Sequence, residues 1–318
     1  MKKIAVVIPY YQREPGILRR ALNSVCAQVG LEALSVFVVD DASPVPAVAE
    51  LESIDLPEWV KVTVLQRSNG GPGAARNTAL DALGADIRYV AFLDSDDEWT
   101  QRHLFNAVSA LETGADVYFA DLLQLGADVS AFSRAGQMVS SRYPGIPGLP
   151  GVREFTGDMF DQILSGNVIG TSTVVYRYDR LQKVRFQPEF RTAGEDYLFW
   201  MDLAVAGAAF VFSEDVEAVY GRGVNVYAGV SWGSVEHLWR VYYEARYRIR
   251  TQETYALTDV QLALIERKRR SLRRDFAASM LHRLARLRGV PIDLLLKQFA
   301  AEPRTGPALL AVLLRRSG

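Results

Sequence analysis

Four short runs of β-branched and aromatic residues, 4–8 (IAVVI), 36–39 (VFVV), 60–65 (VKVTVL) and 89–93 (YVAFL), each give way to polar residues and then to a helix-like segment. Strands alternating with helices predict an α/β domain with a largely parallel sheet. Between the first two runs, Leu18, Ala21, Leu22 and Val25 recur at three- and four-residue spacing, the buried stripe of a crossover helix, and Cys26 beside it reads as a small core residue. Residues 126–153 contain Gly136, Pro144, Gly145, Pro147, Gly148, Pro150 and Gly151 with little periodicity, which predicts a loop long enough to act as a mobile flap. Beyond it the pattern predicts a helix over 158–164, a strand over 171–176, a helix over 195–206 and an extended segment over 210–220. From about 235 the character changes: Leu262, Ile265, Leu272, Phe276, Met280, Leu284 and Leu287 form a helical stripe among arginines such as Arg267, Arg270 and Arg274, an amphipathic basic tail.

Composition narrows the class. With 318 residues, 49% hydrophobic and 23% charged, the chain suits a globular protein with a substantial core and excludes collagen-like or wholly disordered readings. The net charge of -1 hides an asymmetry, because residues 240–318 hold 17 Lys/Arg against 7 Asp/Glu. A single cysteine forms no internal disulfide and points to a reducing compartment. The opening has too short an apolar run for a signal peptide, and no stretch of about eighteen apolar residues appears, so a cytoplasmic protein is expected, with the inner face of the cell membrane as a site of contact.

In open parallel sheets ligands bind beyond the carboxyl ends of the strands, so the loops after each run carry the chemistry. Asp94-Ser95-Asp96, followed by Asp97 and Glu98, packs carboxylates that repel one another unless a cation sits between them, and hard oxygen ligands suit Mg²⁺ or Mn²⁺. A solvated acidic turn or a helix cap is the competing reading. Asp40-Asp41 ends a second strand, where carboxylates accept hydrogen bonds from a base or ribose or satisfy their own turn. Tyr11, after Pro9, offers an aromatic platform. The turn Gly70-Gly71-Pro72-Gly73 enters a helix carrying Arg76, with neither GxGxxG nor GK[ST] spacing. Gly194-Glu195-Asp196 opens a later helix, where acidic residues suit the dipole and where Asp196 is placed to act as a general base. The three histidines show no zinc spacing and read as surface or structural residues, and no GxSxG supports hydrolase chemistry.

Taken in series, 7–12 (VIPYYQ), 38–43 (VVDDAS), 69–77 (NGGPGAARN), 92–97 (FLDSDD) and 194–196 (GED) resemble the family 2 glycosyltransferases of GT-A fold, across about 200 residues. The resemblance implies a Rossmann-like, mostly parallel central sheet flanked by helices, with a C-terminal helical extension. It divides the chain into a glycosyltransferase domain over 1–234, with a nucleotide-binding half near 1–125 and an acceptor half near 154–234, and a basic extension over 235–318. It implies inverting transfer of a sugar from a UDP-sugar, with Mn²⁺ or Mg²⁺, to a saccharide or lipid-linked saccharide acceptor. Pro9, Tyr11, Asp41 and Arg76, with Asp40 beside them, then correspond to nucleotide contacts, Asp94 to a ribose or donor-sugar contact, Ser95 to a further donor-binding residue, Asp96 to the metal ligand, Asp196 to the base and Glu195 to an acceptor contact. The absence of Gln-x-x-Arg-Trp after GED implies a non-processive enzyme. Tyr10 to Gln28 is similar to bacterial exopolysaccharide glycosyltransferases of the succinoglycan type, implying UDP-glucose and a lipid-linked oligosaccharide.

Two other classes stay open, a nucleotidyltransferase and a catalytically silent sugar-nucleotide-binding scaffold. The segment from Tyr220 to Trp232 falls where enzymes of the resembled family place a loop that closes over the donor diphosphate, which implies phosphate binding by Arg222; a surface loop with no ligand is the competing reading. The basic tail suits a bilayer surface, a homodimer interface or packing on its own core, and no nucleic-acid motif accompanies it.

Overall fold

The computed structural model describes residues 3–52, 54–124, 126–221 and 231–316. Its first elements are β1 (Lys3–Tyr10), α1 (Ile17–Cys26), β2 (Leu34–Asp40), α2 (Ala47–Leu51), β3 (Val60–Gln66), α3 (Pro72–Ala82) and β4 (Ile87–Phe92). The strands pair β3-β2-β1-β4, all parallel. Each crossover returns to the same sheet, so the four carboxyl ends gather on one edge. Residues Ile4 to Ile8 of β1 are all buried, as a strand covered on both faces requires.

The rest of the sheet is mixed. In order come β5 (Glu98–Trp99), α4 (His103–Leu111), β6 (Val117–Gln124), α5 (Ala131–Ala135), β7 (Gly145–Ile146), β8 (Leu149–Glu154), α6 (Met159–Ser165), β9 (Val175–Arg177), α7 (Tyr178–Leu181), α8 (Glu195–Val205) and β10 (Phe210–Tyr220). β9 inserts antiparallel between β4 and β6. β10 runs parallel to β6, β5 and β8 join β10 antiparallel, and β7 pairs with β8.

Two expectations are corrected here. The supposed loop over 126–153 contains α5 and the β7–β8 hairpin, turned at Gly148 with φ of 79°. It is anchored rather than free, because Tyr143 stacks on Phe155 at 5.4 Å and meets Phe212 edge-on at 5.1 Å, while Arg153 pairs with Glu214. The strand expected over 171–176 begins only at Val175, since Thr171–Thr173 form a 3-10 turn.

By compactness the chain forms two units, residues 1–191 with 199–224, and residues 192–198 with 225–318. The sheet belongs to the first. The second is helical, with α9 (Val235–Thr254), α10 (Asp259–Ala285), α11 (Ile292–Ala301) and α12 (Thr305–Arg316). Thr258 and Gln261 close a reciprocal cap at the start of α10. Phe276 and Met280 of the leucine-rich stripe join Leu238, Val241, Tyr242 and Leu294 in a separate core. Several arginines turn inward as well: Arg269 and Arg273 share the buried carboxylate of Glu302 at 2.5 and 3.0 Å. Leu284 and Leu287, by contrast, stay exposed.

Candidate active site

The loops after β1, β2 and β3 are tied together by one another's backbone. Asp40 ends β2 with its carboxylate turned into its own loop, accepting from Ser43 N at 2.7 Å and Ala47 N at 2.9 Å. It is buried, and both its carboxylate oxygens are engaged within its own turn. Asp41 accepts from the amides of Gly70 (2.9 Å) and Gly71 (2.7 Å) and pairs with Arg67 at 3.1 Å. Asn69 donates to the Asp41 carbonyl at 3.0 Å and receives Arg191 on both its backbone and side-chain oxygens. Gly71, with φ of 88°, lies so close to this segment that a Cβ there would stand 2.5 Å from the Arg191 carbonyl oxygen. Pro9 is buried within β1, and Tyr11, the next residue after the strand, is half-buried.

The acidic loop after β4 is built on a second network. Arg76, on the first turns of α3, is buried and donates to Asp94 Oδ1 at 2.5 Å, with its guanidinium 5.2 Å from the Phe186 ring centroid. Asp94 donates its own amide to Ser172 Oγ at 3.0 Å, and that hydroxyl donates to Asp97 Oδ2 at 2.5 Å. The other oxygen of Asp97 accepts from Gly221 N at 2.9 Å. Burial, with Asp94 and Asp96 nearby, holds the Asp97 carboxyl well above the usual carboxylate range. Ser95 is buried with its hydroxyl accepting from Gln12 at 3.0 Å, so it braces the loop after β1.

Asp94 is held by Arg76 and Asp97 is locked by Ser172 and Gly221, and the half-buried Asp96 stands between them in the same loop. Among the described residues no three His, Cys, Asp or Glu side chains form a metal-holding group. One or two carboxylates fit Mg²⁺ or Mn²⁺, which take their remaining ligands from water and phosphate oxygens.

The Gly194-Glu195-Asp196 segment opens α8 in the second unit. Gly194 takes φ of 95°, Glu195 is buried, and Asp196 is half-buried with Oδ1 accepting from Tyr197 N at 2.9 Å. Tyr197 packs edge-on against Tyr247 at 5.1 Å, and Tyr255 donates to the Leu198 carbonyl at 3.3 Å, so α9 and the segment after it steady the acidic turn. Arg222 lies outside the described residues.

Several residues of these networks escaped the sequence reading. Ser172 carries no local motif and lies 78 positions from Asp94. Arg67, Asn69 and Arg191 read as loop polar residues. Behind the acidic loop, Glu217 is buried and accepts from Asn106 and Tyr118 at 2.8 Å while meeting His103 Nδ1 at 2.8 Å. A register irregularity in the pairing of β10 with β6 aims it there. His103 is structural, as expected, with its ring 4.8 Å from that of Trp99.

An acidic loop, a glycine turn and an aspartate-ended strand on one edge of this mixed sheet define a GT-A fold. The chain belongs to glycosyl transferase family 2, whose model matches residues 5–180. It is thus a glycosyltransferase, as the five motifs implied. It is similar to the succinoglycan biosynthesis protein ExoW of Rhizobium meliloti (strain 1021), at 36% identity over 313 residues, covering 96% of this chain and 95% of that protein. Among solved structures it is similar to S. aureus TarS 1–349 in complex with UDP-GlcNAc, with a TM-score of 0.55, 20% identity and coverage of 97% of this chain and 82% of TarS. It is also similar to the mannosyltransferase PcManGT from Pyrobaculum calidifontis in complex with GDP-Man and Mn²⁺, with a TM-score of 0.56, 17% identity and coverage of 98% and 84%. At those identities the two structures share the fold. No described helix is long and apolar enough to cross a membrane.

Proposed function

We propose that the chain transfers a single sugar, glucose from UDP-glucose, to a hydroxyl of a lipid-linked oligosaccharide in bacterial polysaccharide biosynthesis, by an inverting displacement. The observation that carries this reading is the Arg76–Asp94 pair beside Asp96, supported from below by Ser172 and Asp97. The succinoglycan assignment of ExoW and the UDP-GlcNAc complex of TarS support the pathway and the nucleotide.

In this mechanism Tyr11 covers the base or sugar, and Asp41 holds the Gly70–Gly71 backbone at close approach to the nucleotide. Pro9 and Arg76 act from beneath, Arg76 by fixing the Asp94 carboxylate toward ribose or donor sugar. Asp96 would hold Mn²⁺ or Mg²⁺, which when bound would supply positive charge to offset that on the departing diphosphate. Asp196 removes the acceptor proton while Glu195 positions the acceptor; both lie in the first turn of α8, where acidic side chains suit the helix dipole.

Thermal shift with UDP, GDP, dTDP and CDP and their glucose conjugates, with and without Mn²⁺, tests the donor site, and product analysis tests the reaction. Metal-dependent stabilisation by UDP-glucose and release of UDP are expected. Release of pyrophosphate would instead make the protein a nucleotidyltransferase, and binding without release of either would make it a scaffold.

A further inference from the structure

The turn that ends α10 exposes apolar side chains in a costly way. Leu287 follows the helix with φ of 53°, a left-handed conformation usually left to glycine or asparagine, and it is 96% exposed. Leu284 is 54% exposed, and Ile292 and Leu296, one turn apart on α11, are 68% and 65% exposed. The turn is rigid, since the buried Arg283 guanidinium donates to the Gly289 carbonyl at 3.0 and 2.6 Å and to the Gly233 carbonyl at 3.0 Å. Arg288 N closes it onto Arg283 O at 2.9 Å. A leucine held outward in a strained conformation meets no need of the fold.

Charge indicates what it meets. Arg286 and Arg288 flank Leu287 and are exposed, and Arg267, Arg270 and Arg274 form an exposed row along α10. We propose that the Leu284–Arg288 turn, with the Ile292–Leu296 face, docks onto an anionic lipid bilayer, its leucines entering the acyl boundary and its arginines engaging headgroup phosphates. A second copy related by a two-fold axis would set these arginines against themselves, which disfavours a self-complementary dimer. The inference deepens the proposed function by bringing the enzyme to the surface where a lipid-linked acceptor resides.

Vesicle flotation of the full chain tests it, with phosphatidylcholine alone and with phosphatidylglycerol added. Binding to the anionic vesicles only is expected, weakened about fivefold by each of Arg286→Ala and Arg288→Ala. Leu287→Asn is the decisive variant: asparagine tolerates the left-handed backbone, so Tm holds or rises, while vesicle affinity falls about tenfold. UDP release with a soluble acceptor stays unchanged in that variant, which separates this inference from the transferase reading. Equal binding by Leu284→Asn/Leu287→Asn, no binding to anionic vesicles, or self-association in sedimentation that Leu287→Asn abolishes would each overturn it.

Discussion

The buried guanidinium of Arg76 and the carboxylate of Asp94 meet at 2.5 Å across the gap between α3 and the loop after β4. The pair joins the glycine turn to the acidic loop, so the two segments rise or fall together.

Removing the arginine therefore does more than delete a charge. Arg76→Ala leaves Asp94 facing Asp96 and Asp97 without its counter-ion, and is expected to cost about 2 kcal/mol, less than a fully buried pair because Asp94 is a third exposed. Arg76→Lys keeps the charge but loses the planar fork and the contact with the Phe186 ring, and should recover stability better than donor affinity. Thermal unfolding and UDP titration of the two variants read these effects separately.

At two glycines among the described residues a side chain would strike the backbone of another segment. A Cβ on Gly221 would lie 1.7 Å from the Asp96 carbonyl oxygen, and one on Gly71 2.5 Å from that of Arg191. Gly221→Ala is expected to displace the acidic loop and lower turnover at least tenfold. Gly207→Ala serves as the control, since Gly207 has φ of 77° but open space around it, and should show only a strain of about 1 kcal/mol with turnover intact.

Metal dependence should reside in Asp96. In Asp96→Ala the stabilisation of the protein by UDP is expected to become the same with Mn²⁺, without it, and after chelation. A variant that keeps the full Mn²⁺ response would move the metal to another carboxylate.

Asp196→Asn keeps the shape of the α8 turn while abolishing basicity. UDP affinity is expected to stay within about twofold and transfer to fall by about three orders of magnitude, the scale of general-base contributions. An equal loss of UDP binding would argue against Asp196 as the base.

Glu217→Ala leaves His103, Asn106 and Tyr118 without their shared acceptor, and is expected to cost about 3 kcal/mol or more in chemical denaturation. Glu217→Gln preserves one acceptor oxygen and should lose less.

β1, β2 and β4 were legible because each is a compact apolar run ended by polar residues, a pattern that burial within the sheet imposes, while β3, at the sheet edge and only half-buried, showed through the alternating valines of VKVTVL. The β7–β8 hairpin was hidden because glycine and proline dominate its composition, and its place in the sheet comes from Tyr143, Phe155 and Phe212, whose meeting no local window contains. β9 was legible only in part, since three residues of strand follow directly on a 3-10 turn. In the candidate site the acidic residues declared themselves by spacing, but their partners did not. Asp40 and Asp41 look equivalent in sequence, yet one closes its own loop and the other clamps the glycine turn of the next. Ser172 and Glu217 act through contacts 75 and 114 positions away in the chain, a distance over which spacing carries no signal.

The insertion of β9 between β4 and β6 also constrains the order in which the protein is made. β3-β2-β1-β4 is complete once residue 92 has been synthesised, but the open edge of β4 has no neighbour until Val175–Arg177 emerge more than eighty residues later. During that interval the nascent chain presents an unpaired apolar strand edge, the kind of surface to which chaperones bind and at which truncated chains aggregate. Fragments that stop between β4 and β9 are thus expected to be insoluble even though they contain the whole glycine turn and the acidic loop.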